Sequence, residues 1–153
     1  MKLNYQIIIE YLGANFVGWQ FQKNGSSIQS NLEKALSKTL RSKIKIIGSG
    51  RTDAGVNAWG QSANFYVENP IKNNFKFLST VNFFLQKSQI SVLNIKKRSL
   101  NFHARHSAKK RQYEYIILNR IAKPSIEYNR LWLVKKKLDL QKMKKGISYF
   151  FGT

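Results

Sequence analysis

Residues 3–11 alternate without a break, placing Leu3, Tyr5, Ile7, Ile9 and Tyr11 on one face. A period of two sustained this long requires a strand buried on one side only, so a partner layer must cover that face. Helical stripes supply candidates. Ile28, Leu32, Ala35, Leu36 and Leu40 share one face behind a capping-box pattern, Ser26 with Gln29. Phe77, Leu78, Val81, Phe84 and Leu85 share another over residues 74–86. Strand patterns at 43–48, 57–67 (Trp59, Ala63, Phe65, Val67 inward) and 90–98 complete an order βαββαβ. That order predicts an α+β fold, a ferredoxin-like or RNA-recognition-like antiparallel sheet with two helices on one face.

The remainder reads as the beginning of a second, similar unit. Strands are expected at 111–119 and 131–134, then a helix from Asp139 over 139–151 with Leu140, Met143, Ile147 and Phe151 inward. The helix needs a sheet to pack on, and the chain ends at Phe150-Phe151-Gly152-Thr153 while still apolar. We expect a first unit over 1–105 and the start of a second, apparently truncated, over 106–153.

Composition narrows the chemistry. The 153 residues hold 27 Lys plus Arg against 7 Asp plus Glu, a formal net charge of +20, with 13% aromatic residues. A surface this basic attracts polyanions, and the aromatics favour nucleic acid over lipid. With no cysteine there is no disulfide, thiolate metal site or cysteine nucleophile. Two histidines, His103 and His106, and two aspartates, Asp53 and Asp139, argue against metal-dependent hydrolysis. No metal is expected. No apolar run reaches the ~20 residues of a membrane span, and Met1-Lys2 leads directly into a strand pattern, so a cytoplasmic location is expected.

Asp53 is the acid that stands out. It sits in Gly50-Arg51-Thr52-Asp53-Ala54-Gly55 between two strands. In an extended segment Arg51 and Asp53 point the same way, so the guanidinium is expected to pair with the carboxylate and hold it ionised, as a nucleophile requires. Alternatively Asp53 caps its own loop amides in an Asx-turn. A second cluster, Phe102-His103-Ala104-Arg105 through Arg111-Gln112-Tyr113-Glu114-Tyr115, sets His103, Arg105, Lys109, Lys110 and Arg111 beside Tyr113 and Tyr115. Cations for phosphates beside a ring for a base suit a single-stranded or flipped nucleotide; core packing would use the same tyrosines. Trp19 reads as an anchor for its loop in preference to a stacking residue.

Together with Tyr11-x-Gly13, Gly18-Trp19-Gln20 and Ser107-Ala108, these blocks resemble, in order and approximate spacing, the bacterial tRNA pseudouridine synthase A family. The resemblance covers the chain from residue 3 onward. It implies isomerisation of uridine to pseudouridine in the tRNA anticodon stem-loop, nominally at positions 38 to 40, by a homodimer with no metal or organic cofactor. By motif match Asp53 is the nucleophile, Arg51 its partner and Tyr113 the ring stacked on the target uracil. Arg105 and His103 would contact the substrate. Leu12 and Asn57 depart from the family pattern, where Asp and His are usual. The family continues into a half that completes a second sheet and supplies another active-site arginine. Two alternatives stand beside this reading: a catalytically incomplete RNA-binding fragment of such an enzyme, and a generic ferredoxin-like interaction module.

Overall fold

The computed structural model describes residues 2–128 and 130–152 and separates into two compact units, Met1–Arg111 and Gln112–Thr153. In the first unit the order is β1 (Leu3–Tyr11), α1 (Ile28–Leu40), β2 (Ile46–Gly48), β3 (Ala58–Val67), α2 (Asn74–Leu85) and β4 (Ile90–Arg98). The sheet runs β2-β3-β1-β4 with every neighbouring pair antiparallel. That is the ferredoxin-like arrangement expected of a βαββαβ sequence.

Alternation along β1 builds the core. Tyr5, Ile7 and Ile9 are buried and pair across the sheet with Phe65, Ala63 and Gln61. Against this face α1 buries Ile28, Leu32, Ala35 and Leu36, and α2 buries Phe77, Val81 and Leu85. Tyr5, Phe65 and Phe77 stack in series, with ring centroids 6.1 and 6.3 Å apart. Phe84, expected inward, is instead exposed beneath the Lys38 ammonium.

Local chemistry moves several boundaries. The capping box of α1 lies one residue beyond the expected place. Ser27 Oγ accepts from Ser30 N at 3.1 Å, and Ser27 N donates back to Ser30 Oγ at 3.3 Å. This start brings Ile28 into the core. In β3 the pairing passes from Ile9↔Gln61 to Tyr11↔Ala58, so β3 carries one extra residue there. That bulge takes Trp59 off the inward register and leaves it exposed.

The sheet face away from the helices is polar, and loop 99–111 crosses it. Asn4 and Asn64 are fully buried there. Asn4 Nδ2 donates to Ser99 O and Phe102 O at 2.9 and 2.8 Å, and Asn4 Oδ1 accepts from Asn64 Nδ2 at 3.0 Å. Asn64 Oδ1 accepts from Ala104 N at 2.9 Å. Two strand side chains thus satisfy the backbone of a loop that would otherwise lose its hydrogen bonds to burial.

The second unit departs more from expectation. Its β5 (Ile117–Asn119) and β6 (Trp132–Val134) pair in parallel, and α3 (Leu140–Ile147) follows. Residues 111–116, expected as strand, carry no regular structure, although Ile116 O accepts from Trp132 N at 2.8 Å just before β5 begins. Asp139 caps α3, accepting from Gln141 N and Lys142 N, each at 3.0 Å. Leu140, Ile147 and Phe151, expected inward, are exposed, and Met143 is 38% exposed. A sheet of two three-residue strands has too little apolar surface to cover them.

The asparagine relay predicts a stability cost. Asn64→Leu strands Asn4 Oδ1 and the Ala104 amide in a buried site, and should destabilise the chain by about 2–4 kcal/mol in urea denaturation. Unchanged stability would mean that the 99–104 loop does not depend on the relay.

Candidate active site

The loop between β2 and β3 carries the Gly-Arg-Thr-Asp-Ala-Gly block, and its backbone is held from several sides. Trp19 supports it from below. The indole packs over Gly48, where a Cβ would stand 2.6 Å from the ring, and the Trp19 amide donates to Thr52 O at 2.9 Å. Gly18 has φ +108°, and a Cβ there would meet Thr52 O at 2.7 Å, so this approach requires glycine. Trp19 is buried and serves as the expected anchor.

Polar side chains fix the two ends. Tyr11 Oη lies 2.8 Å from Thr52 Oγ1 and donates to Gln61 Oε1 at 3.1 Å. Gln61 Nε2 donates to Gly50 O at 2.8 Å. Burial pushes the Tyr11 phenol up, opposed by its hydrogen bond to Thr52, so it remains a neutral donor near pH 7. Asn57, one of the two departures from the family pattern, accepts from Gly13 N through Oδ1 at 2.7 Å and ties the far end of the loop to the segment after β1.

The tip is free by contrast. Arg51 and Asp53 are both exposed, and among the described residues no ion pair joins them. The expected guanidinium–carboxylate pair is therefore not formed in this structure. From Asp53 onward the chain turns, with Val56 N donating to Asp53 O at 3.3 Å. The Asx-turn alternative is not formed either: the Val56 amide bonds the Asp53 backbone oxygen, and among the described residues no amide donates to the Asp53 carboxylate. Asp53 presents a carboxylate that no described side chain or amide occupies.

The basic segment reaches the same loop. Arg98 lies over the Phe102 ring at 5.1 Å, and Ala104 is seated on Asn64. The segment then closes a turn in which Ser107 N donates to His103 O at 2.8 Å and His103 N donates to Ser107 Oγ at 3.1 Å. The half-buried His103 stacks on His106, ring centroids 4.3 Å apart, while Arg105, Lys109 and Lys110 are exposed. At its end Arg111 donates to Ser49 O at 3.0 Å, beside the loop of Asp53. Tyr113 and Tyr115 belong to the second unit, where both are exposed.

The reading by motif passed over Gln61 and Asn64. A signal for Gln61 was present: it is a polar residue in the inward register of β3, two positions before Ala63. Asn64 shows no such signal, because a polar residue on the outer face of a strand is ordinary. Among the described residues no three of His, Cys, Asp or Glu converge as a metal site would require, and no helix is long and apolar enough to cross a membrane.

Residues 7–107 match the protein family described as tRNA pseudouridine synthase. The tRNA pseudouridine synthase A of Pelagibacter ubique (strain HTCC1062) is 56% identical over 149 residues, covering 97% of this chain and 61% of that protein. That of Ehrlichia canis (strain Jake) is 45% identical over 152 residues, covering 99% and 62%. That of Anaplasma marginale (strain Florida) is 36% identical over 152 residues, covering 98% and 61%. The chain thus spans about three-fifths of the length of these relatives. With a ferredoxin-like sheet, a glycine-bracketed aspartate loop and a match over most of the first unit, the chain belongs to the tRNA pseudouridine synthase family.

Proposed function

We propose that this chain carries the nucleophile of a tRNA pseudouridine synthase that isomerises uridine to pseudouridine in the tRNA anticodon stem-loop. The observation that carries the proposal is the Asp53 carboxylate, exposed and unengaged among the described residues, on a loop held at the Gly50 and Thr52 carbonyls and by the Asn57 side chain. A nucleophile needs this combination: a fixed backbone beneath and an open carboxylate above.

The chemistry uses few groups. A uridine leaves its stack to reach the site. The Asp53 carboxylate attacks the nucleotide, at base or ribose, and the bond between C1′ and N1 breaks. The uracil turns, a bond forms between C1′ and C5, the C5 proton leaves, and N1 takes up a proton. The carboxylate is released and the atoms are conserved, so the reaction is an isomerisation. We assign Arg51, Arg105 and His103 to substrate contacts and Tyr113 to stacking on the uracil. The proposal includes a homodimer acting on tRNA in the cytoplasm. A second reading, RNA binding without turnover, is favoured by the exposed cations Arg105, Lys109 and Lys110, which can hold phosphates with no part in the chemistry.

Three outcomes are expected. Asp53→Asn keeps the shape of the side chain and removes its charge. It should lower tritium release from uracil C5 in an anticodon stem-loop RNA on the order of 10³-fold or more, with RNA binding by gel shift unchanged. Release near the parent rate would end the nucleophile assignment; absence of release by the parent, with binding intact, would select the second reading. Arg51→Lys keeps the charge but loses the planar fork, and should also be badly impaired in release. RNA affinity should fall steeply with salt, and replacing Lys109 and Lys110 together by Gln should flatten the log–log slope by about 1.4–1.8. An unchanged slope would take those lysines off the phosphate path.

A further inference from the structure

Gln61 belongs to none of the motif blocks, yet it joins the two ends of the segment from which Arg51 projects. Its Oε1 can only accept, so the Tyr11 hydroxyl commits its single proton there, at 3.1 Å. The 2.8 Å contact between Tyr11 Oη and Thr52 Oγ1 must then carry the threonine's proton. On its other atom Gln61 donates to Gly50 O at 2.8 Å. The donors therefore run one way, from Thr52 to Tyr11 to Gln61 to Gly50. Because Gly50 and Thr52 flank Arg51, these side chains close a hydrogen-bonded ring around the Arg51 backbone, and Asp53 is the next residue out.

A primary amide suits this place. It presents an acceptor and a donor on one planar head, whereas glutamate at neutral pH only accepts and methionine offers neither usefully. The Tyr11 ring is buried, 6.2 Å between centroids from Trp19, so the hydroxyl is aimed by packing as well as by its partners. The circuit therefore has a rigid side at Tyr11 and holds the loop to it.

We propose that Gln61 is a positioning residue, fixing through Tyr11 and Gly50 the direction in which the loop presents Asp53. Its effect on turnover rests on Asp53 being the nucleophile; its grip on the loop does not.

Two variants of the full chain test it, Gln61→Met, which loses both bonds at nearly constant length, and Gln61→Glu, which keeps the acceptor and loses the donor. Hydrogen exchange measured by mass spectrometry should accelerate about tenfold over residues 51–56 in both, with α1 and β1 unchanged. Unchanged exchange in 51–56, or acceleration spread equally through α1 and β1, would overturn the proposal. In single-turnover tritium release both variants should be slowed about tenfold to a hundredfold, with RNA affinity within about twofold of the parent. A variant rate equal to that of an active parent, despite a loosened loop, would also overturn it. A parent that releases no tritium would count against the proposed function, and the exchange measurement would still decide for or against the grip of Gln61.

Discussion

Trp19 is the joint on which the first unit turns. Its ring occupies the space left by Gly48 at the end of β2, and its amide bonds Thr52 O at 2.9 Å. Its own carbonyl accepts from Gln29 N at 3.0 Å, and the preceding Gly18 carbonyl accepts from Ile28 N at 3.2 Å. Those two amides open α1, where a helix has no internal acceptors for its first N–H groups. One short segment thus caps a helix, packs on a strand and supports the loop of Asp53. Removing the ring would leave a cavity under all three, and large-to-small changes of buried aromatics typically cost about 3–5 kcal/mol.

The division between a held backbone and a free tip follows from that joint. The strong contacts to the loop go to its backbone, to the Thr52 hydroxyl and to the Asn57 side chain, whereas Arg51 and Asp53 are left exposed. A carboxylate already paired in the resting protein would have to lose its partner before attacking. An open one on a fixed support pays no such reorganisation. The basic segment stitched across the sheet by Asn4 and Asn64 ends at Ser49 through Arg111, so positive charge is laid up to the edge of the same loop.

Much of this was legible in the sequence, for definable reasons. Strict alternation in β1 and the stripes of α1 and α2 encode burial directly, and burial decides a ferredoxin-like sheet. The glycine-bracketed block marked the loop, and its Gly55 takes φ +80°, a backbone conformation that favours glycine. What sequence could not give was direction. The Arg51–Asp53 pairing was inferred from spacing alone, and two exposed charges gain little from closing a pair. Trp59 looked inward until a bulge against Tyr11 shifted its register. The strand expected through Tyr113 and Tyr115 required a partner strand, and pairing is a property of the fold rather than of the segment. Gln61 stands out as a polar residue in the inward register of β3, but its partners lie 50 and 11 positions away along the chain, which no local pattern encodes.

The central claim is that the Asp53 carboxylate forms a bond to the nucleotide. A stem-loop RNA with fluorine at C5 of the target uridine tests this most directly for attack at the base, where the carboxylate stays bonded until C5 loses its proton, a step that fluorine blocks. Denaturing electrophoresis followed by peptide mass mapping should find RNA joined covalently to the peptide containing Asp53, and no adduct in Asp53→Asn at equal RNA occupancy. An adduct on another residue, or one formed equally by Asp53→Asn, would contradict the account.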